Sequence, residues 1–275
     1  MAALLSPRIL ATTAIGLLGL ACCGLVPGLG NLAFNRADAA EAKPLLVGAA
    51  SSLSEPLQAL APGFAAAQKV PAPTFNFAAS GVLQQQIQRG APIDVYVSAG
   101  EKQMDRLEKA GLLLAGSRRV IAGNQLVLVV PSRSPLRSLR FGGLDSIAIR
   151  RIAIGDNSVP AGDYGRQTLA YYGLREAVQA KLVPLGSVRA VAHAVAAGNV
   201  DAGIVYKSDA RSGPNLRIVA GAPEASHAPI RYSAAVIATS RQPKLARAYL
   251  NSLSSAQAGQ MFRRYGLLPL TAVAK

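Results

Sequence analysis

The sequence predicts an α/β protein of two lobes joined by two crossover strands. From Leu45 onward, short apolar runs alternate with helical patterns, as in mostly parallel sheets covered by helices. Two longer apolar runs, at 126–130 and 230–238, divide the chain into three parts and supply the crossovers. Half of the 275 residues are apolar (51%), enough to bury a sizeable core and to exclude disorder.

A strand at 45–49 leads into an amphipathic helix at 53–67. A strand at 74–78 precedes a short helix at 82–89, and a strand at 94–98 precedes a helix at 101–110 closed by Gly111. The run at 126–130 is continuously apolar, hence a buried strand, and Pro131 stops it. A polar loop covers 132–141. Strand 151–155 feeds helix 162–172, and strand 181–184 feeds helix 187–197, with Gly198 as the expected stop residue. Strands at 202–205, 216–220 and 230–238 follow, and helices at 243–253 and 256–265 close the chain. On this reading lobe 1 is discontinuous, 44–123 plus 239–275, and lobe 2 is 124–238 including the crossover strands.

Residues 1–39 read as a signal peptide. Arg8 precedes an apolar run from Ile9 to Leu29, and Ala37-Asp38-Ala39 offers the small-x-small pattern that a signal peptidase accepts. The rival is a retained anchor, since the run is almost long enough to span a bilayer, but its glycines and Pro27 favour cleavage near Ala39. Both cysteines, Cys22 and Cys23, fall inside this leader. Gly19 does not fit a lipidation signal at Cys22. The exported protein then has no disulfide, no thiolate metal site and no cysteine nucleophile.

The formal net charge is +15, with 29 basic and 14 acidic residues. Nucleic-acid binders concentrate such charge in a stripe with interleaved aromatics. Here it is dispersed, with compact clusters only at Arg118-Arg119, Arg150-Arg151 and Arg263-Arg264. The excess is a general field that favours anionic partners. His193 and His227 are isolated and no carboxylates cluster, so a protein-ligated metal site is not expected.

Four strand-to-helix junctions repeat one design: Ala49-Ala50-Ser51-Ser52-Leu53, Ala78-Ala79-Ser80-Gly81, Val159-Pro160-Ala161-Gly162 and Leu185-Gly186-Ser187-Val188-Arg189. Each puts small residues and uncovered backbone N–H groups at a helix start, which suits an anion. A fully ionised tetrahedral oxyanion has only acceptor oxygens, so its site is rich in donors and free of carboxylates. Two junctions come from each lobe, so an anion between them clamps the lobes together. Structural alternatives exist for each: Ser52 with Glu55 reads as a capping box, and Ser80 and Ser187 as N-caps. Arg166 and Arg189 read as exposed charges near the site, and Asp94 as structural.

From Leu45 to about Leu268 the chain resembles the periplasmic molybdate-binding proteins of ABC transporters. The resemblance is carried by the motifs at 49–53, 78–81 and 159–162, by Gly90-Ala91-Pro92-Ile93-Asp94-Val95, by Val188-Arg189, by Gly203-Ile204-Val205-Tyr206-Lys207-Ser208-Asp209-Ala210, and by Phe262-Arg263-Arg264-Tyr265-Gly266. Ser51 stands where the family usually has Ala, and Gly81 where it has Ser or Thr.

The resemblance implies a type II periplasmic binding protein fold and a buried oxyanion, molybdate and also tungstate. Carried over by position, the ligand contacts are Ser52 and Ser80 through hydroxyl and N–H, Ala161 and Val188 through backbone N–H, and Tyr206 through its phenol. It further implies a periplasmic monomer that delivers its ligand to permease subunits in the membrane, with no cofactor and no nucleic acid, and no reaction catalysed. The nearest alternative is the same fold holding sulfate, phosphate or another small anion. An exported serine hydrolase is remote, because no Gly-x-Ser-x-Gly elbow is present. A polyanion-binding protein is equally remote.

Overall fold

The structure is a computed structural model that describes residues 43–268. The expected leader, its cleavage position, both cysteines and residues 269–275 lie outside the described residues.

The first part of the chain runs β1 (Leu46–Ala50), α1 (Ser54–Gln68), β2 (Thr74–Ala78), α2 (Ser80–Gln88), β3 (Val95–Ser98), α3 (Glu101–Lys109) and β4 (Arg119–Gly123). It then crosses to β5 (Leu126–Pro131), β6 (Ile152–Gly155), α4 (Pro160–Tyr171), β7 (Leu182–Leu185), α5 (Val188–Ala196), β8 (Ala202–Tyr206), α6 (Lys207–Ser212) and β9 (Leu216–Gly221). It returns through β10 (Arg231–Val236) and ends with α7 (Pro243–Leu253) and α8 (Ala256–Arg264).

Two five-stranded sheets result, in the orders β2-β1-β3-β10-β4 and β7-β6-β8-β5-β9. In the first, β2, β1 and β3 are parallel, and β10 runs antiparallel to β3 and β4. In the second, β7, β6 and β8 are parallel, and β5 runs antiparallel to β8 and β9. The parallel strands β3, β6 and β8 are buried along their whole length, which is why they read as unbroken apolar runs rather than alternating ones. Gly203 sits inside β8 because α5 lies close above it: a Cβ there would come 2.5 Å from Val195 Cγ2. In the first lobe α1 packs against α8, and Phe64 meets Tyr249 edge to face with ring centroids 5.0 Å apart.

The strand expected at 230–238 within lobe 2 is β10, and it lies in the first sheet between β3 and β4. The chain therefore changes sheets in the connections on either side of β5–β9, at Asn124-Gln125 and at 222–230. Two elements had no counterpart in the sequence reading. β4 opens on Arg119 and closes on Gly123, so its apolar run is only three residues long. α6 is six residues of mainly polar character, with too few turns to show a period. Helix starts also move. α4 begins at Pro160 rather than at 162, because proline's fixed φ and missing N–H suit a first helical position. Gly198 ends α5 as expected, at φ +73°, and Asn199 N–H donates to Ala194 O at 3.0 Å.

Every strand-to-helix junction described above stands at the carboxyl end of a parallel strand, where open α/β sheets bind ligands. At the third, Gly162 lets the start of α4 lie against the end of β6, because a Cβ at 162 would fall inside the carbonyl oxygen of Gly155. Gly162→Ala should therefore destabilise the protein by about 3 kcal/mol in urea titrations. Gly259→Ala, in α8 with nothing within 4 Å of the added methyl, should stabilise it by about 0.5–1 kcal/mol. Equal and small effects from both would contradict the close β6–α4 approach.

Candidate functional site

The turn after β1 is a single 3-10 turn, Ser51–Leu53, and Ser52 is buried in it. Its hydroxyl lies 2.9 Å from Tyr232 Oη, on β10. Asn124 Nδ2 donates to Tyr232 Oη at 3.0 Å and to Ser208 Oγ at 2.8 Å, while Asn124 Oδ1 accepts from Gln125 N–H at 2.9 Å. The backbone donor fixes which end of the amide is which. Tyr232 Oη thus accepts from Asn124, and between Tyr232 and Ser52 either hydroxyl can be the donor. When Tyr232 donates, the Ser52 proton is free to donate elsewhere.

Ser80 reaches the same condition by another route. Its Oγ accepts from Ala99 N–H at 3.0 Å, and its carbonyl accepts from Tyr96 Oη at 2.8 Å. The hydroxyl proton is again uncommitted. Ser80 opens α2, so its backbone N–H has no intrahelical partner. Ala161, fully buried, is the second residue of α4, and Val188, also buried, is the first of α5. Ser187 caps α5 by accepting from Ala190 N–H at 3.0 Å, which leaves the N–H groups nearest the helix start uncovered.

Tyr206 ends β8 and is buried, and its hydroxyl donates to Ala99 O at 3.1 Å across the lobes. The phenol's proton is thus engaged within the protein. Burial holds the phenols of Tyr206, Tyr232 and Tyr164 well above their ordinary pKa, so all three are protonated donors at any physiological pH.

The junctions of the two lobes touch in pairs, the second against the third and the first against the fourth. Gly81 N–H donates to Ser158 O at 2.9 Å, joining the start of α2 to the loop before α4. Gly100 packs so near Pro160 that a Cβ would come within 2.8 Å of it. The 51–53 turn packs against α5. Lys102 Nζ lies 3.5 Å from Asp163 Oδ2, and Arg189 forms a two-pronged ion pair with Glu55.

Several expectations change here. Ser52 and Glu55 do not form a capping box; Ser52 bonds to Tyr232, and Glu55 reaches across to Arg189. Ser80 does not cap α2, whose N-cap is Ala79. Arg189 is no exposed charge: its side chain is 27% exposed and also lies 3.1 Å, through Nε, from Asp209 Oδ1, which is fully buried. Arg166 donates to Gly155 O, Asp156 O and Asp163, tying the start of α4 to β6. Asp94 is structural as read, accepting from Leu46 N–H and Ser240 Oγ. The sequence signal for the Glu55–Arg189–Asp209 cluster was opposite charges beside three of the proposed contacts, but nothing local showed that they meet.

Among the described residues Glu55 pairs with Arg189, Asp163 with Arg166 and Lys102, and Asp156 with Ser158, while Asp209 Oδ1 lies 3.1 Å from Arg189 Nε without a hydrogen bond. Burial works against ionised Glu55, yet the Arg189 guanidinium outweighs it and holds the carboxyl below its ordinary value. For Asp209 burial dominates, pushing the carboxyl up to about 7 against the attraction of Arg189. No serine of the site bonds to a histidine: the described partners of Ser52 and Ser80 are Tyr232 and the backbone of Ala99. Among the described residues no group of three or more His, Cys, Asp or Glu could hold a metal ion, and no helix is long and apolar enough to cross a membrane. The arrangement offers hydrogen-bond donors from both lobes to an acceptor, with no nucleophile–base pair.

Residues 45–268 match the family of bacterial extracellular solute-binding proteins. The chain is 33% identical over 234 residues to the molybdate-binding protein ModA of Escherichia coli (strain K12), covering 81% of this chain and 88% of that protein. The solved structure of the periplasmic molybdate-binding protein of Azotobacter vinelandii superposes with a TM-score of 0.73 at 26% identity, covering 82% of this chain and 98% of that one. The sulfate-binding protein SubI of Mycobacterium tuberculosis H37Rv shares the fold (TM-score 0.72, 19% identity, 84% and 89% covered).

Asp209 generates a pH prediction. Its carboxyl binds a proton more tightly folded than unfolded, so the folded chain holds the extra proton between the ordinary carboxylate range and about 7. Stability should fall as pH rises through that interval. Melting curves from about pH 5 to pH 8 should show this decline in the unaltered protein and less of it in Asp209→Asn. Identical slopes would show that Asp209 titrates normally.

Proposed function

The chain belongs to the bacterial extracellular solute-binding proteins, and we propose that it captures molybdate and also tungstate for delivery to an ABC permease. What supports this reading is that helix starts of the two lobes touch beside Ser52 and Ser80, Gly81 N–H on Ser158 O and the 51–53 turn on α5, and that the Ser80 hydroxyl accepts from Ala99 N–H with its own proton uncommitted. Ser52 and Ser80 donate through hydroxyl and N–H, Ala161 and Val188 through backbone N–H, and Tyr206 through its phenol once it releases Ala99 O. A dianion without protons matches such a set, because every group facing it is a donor and every oxygen an acceptor.

Selection follows from the same geometry. Sulfate is smaller, so it cannot engage all the donors of a cavity sized to molybdate. Protonated phosphate brings an O–H that meets donors where it needs an acceptor, a mismatch that buried sites penalise. Binding energy that bridges the lobes shifts the population toward the closed form, the form offered to the permease. The protein works in the periplasm as a monomer, with its leader removed near Ala39, no cofactor and no nucleic-acid partner. The dispersed charge of +15 draws oxyanions toward it.

Thermal melting of the protein tests this reading. Molybdate or tungstate at about a hundred times its dissociation constant should add roughly 2.7 kcal/mol of stability, and sulfate and phosphate at the same concentration should add far less. A shift with sulfate or phosphate alone would instead assign the site to that anion. Ser52→Ala combined with Ser80→Ala should abolish the molybdate shift while the protein stays folded. Tyr206→Phe should weaken binding by roughly tenfold, since a hydrogen bond to a charged group is lost. Unchanged affinity in the double variant would remove Ser52 and Ser80 from the site.

A further inference from the structure

Three charged side chains lie immediately beside the proposed contacts. Glu55 is three residues past Ser52, Arg189 follows Val188, and Asp209 is three residues past Tyr206. Glu55 stands in the first turn of α1 on one lobe, and Arg189 and Asp209 on α5 and α6 of the other. Both guanidinium NH2 groups of Arg189 donate to the Glu55 carboxylate, and Nε faces Asp209 Oδ1 at 3.1 Å. Among the described residues the other ion pair between lobes is Lys102–Asp163, a single 3.5 Å approach by a lysine side chain that is 60% exposed.

From this we infer that Arg189 is a positioning residue of the binding site: steadied by Asp209 on its own lobe, it clasps Glu55 of the opposite lobe and sets how long the closed cleft keeps its anion. The inference rests on the anion-binding reading above. Its first support is geometric. A planar guanidinium that meets a carboxylate with two parallel donors is directional, where a lysine is only a point charge. The Asp209 carboxylate, where ionised, attracts the Arg189 side chain without a hydrogen bond and restricts it before the lobes meet, so less freedom is lost on closure.

The second support is electrostatic. Closure carries the Glu55 carboxylate toward a cleft that holds a dianion, and like charges would oppose it. Arg189 engages both carboxylate oxygens as the lobes meet, so the acid enters the closed form already neutralised. The pair exists only when the lobes are together, which places its effect on release more than on capture. Partial exposure of both side chains, 27% and 35%, keeps that effect moderate.

The test uses the full chain with Glu55→Gln, Arg189→Gln and both together. Molybdenum-loaded protein is diluted and rapidly gel-filtered, and the molybdenum retained gives the release rate; titration with molybdate gives the affinity. Glu55→Gln should release molybdate roughly tenfold faster, with capture nearly unchanged. The double variant should release it no faster than the worse single variant. Release at the unaltered rate in Glu55→Gln, or single effects that multiply in the double variant, would overturn the inference. If Arg189→Gln fails to fold, Glu55→Gln alone decides through its release rate. If the unaltered protein takes up no molybdate, the anion reading falls, and the clasp is judged by ligand-free melting. There, a lower melting temperature in Glu55→Gln, with no further loss in the double variant, keeps it, and additive losses overturn it.

Discussion

A small dianion leaves water only when every direction around it holds an N–H or O–H with nowhere else to donate. That constraint organises this molecule. Helix starts supply backbone N–H groups that the helix itself cannot use. Small residues at those starts keep the groups uncovered, and the carboxyl ends of parallel strands bring several starts to one place. A serine hydroxyl that accepts a bond inside the protein is held in place with its own proton left to donate: Ser80 accepts from the backbone of Ala99, and Ser52 lies against the Tyr232 hydroxyl. Among the described residues Glu55, Asp156 and Asp163 are held by Arg189, Arg166, Lys102 and the Ser158 side chain and backbone, and Asp209 lies beside the Arg189 guanidinium.

The order of strands and helices was legible because parallel strands buried on both faces carry apolar runs that polar helices separate. The junctions were legible because they are local, a few small residues between an apolar run and a helical pattern. What failed was whatever depends on distant partners. β10 was assigned to the second lobe because an apolar run marks a buried strand without saying which sheet buries it. β4 and α6 were too short, or too polar at their ends, to announce themselves.

Capping misled for a related reason. Ser52 followed three residues later by Glu55 satisfies a capping pattern, yet each side chain finds a partner more than a hundred residues away. Tyr206 was placed correctly at its strand end, but its bond to Ala99 O is invisible in sequence. Arg189 looked like one more solvated charge among 29 basic residues, and only the fold shows it wedged between two acids.

The two passages between sheets are very unequal in length, one of two residues at Asn124-Gln125 and one of nine at 222–230. So short a tether holds the two sheets close at that point, which makes it the natural pivot for any swing of the jaws. Asn124 sits at that pivot and holds Tyr232 on one side and Ser208 on the other. Points near an axis scarcely move when a body rotates about it. A swing of the jaws about Asn124 would therefore disturb the chain of contacts from Asn124 through Tyr232 to Ser52 less than contacts farther from the axis.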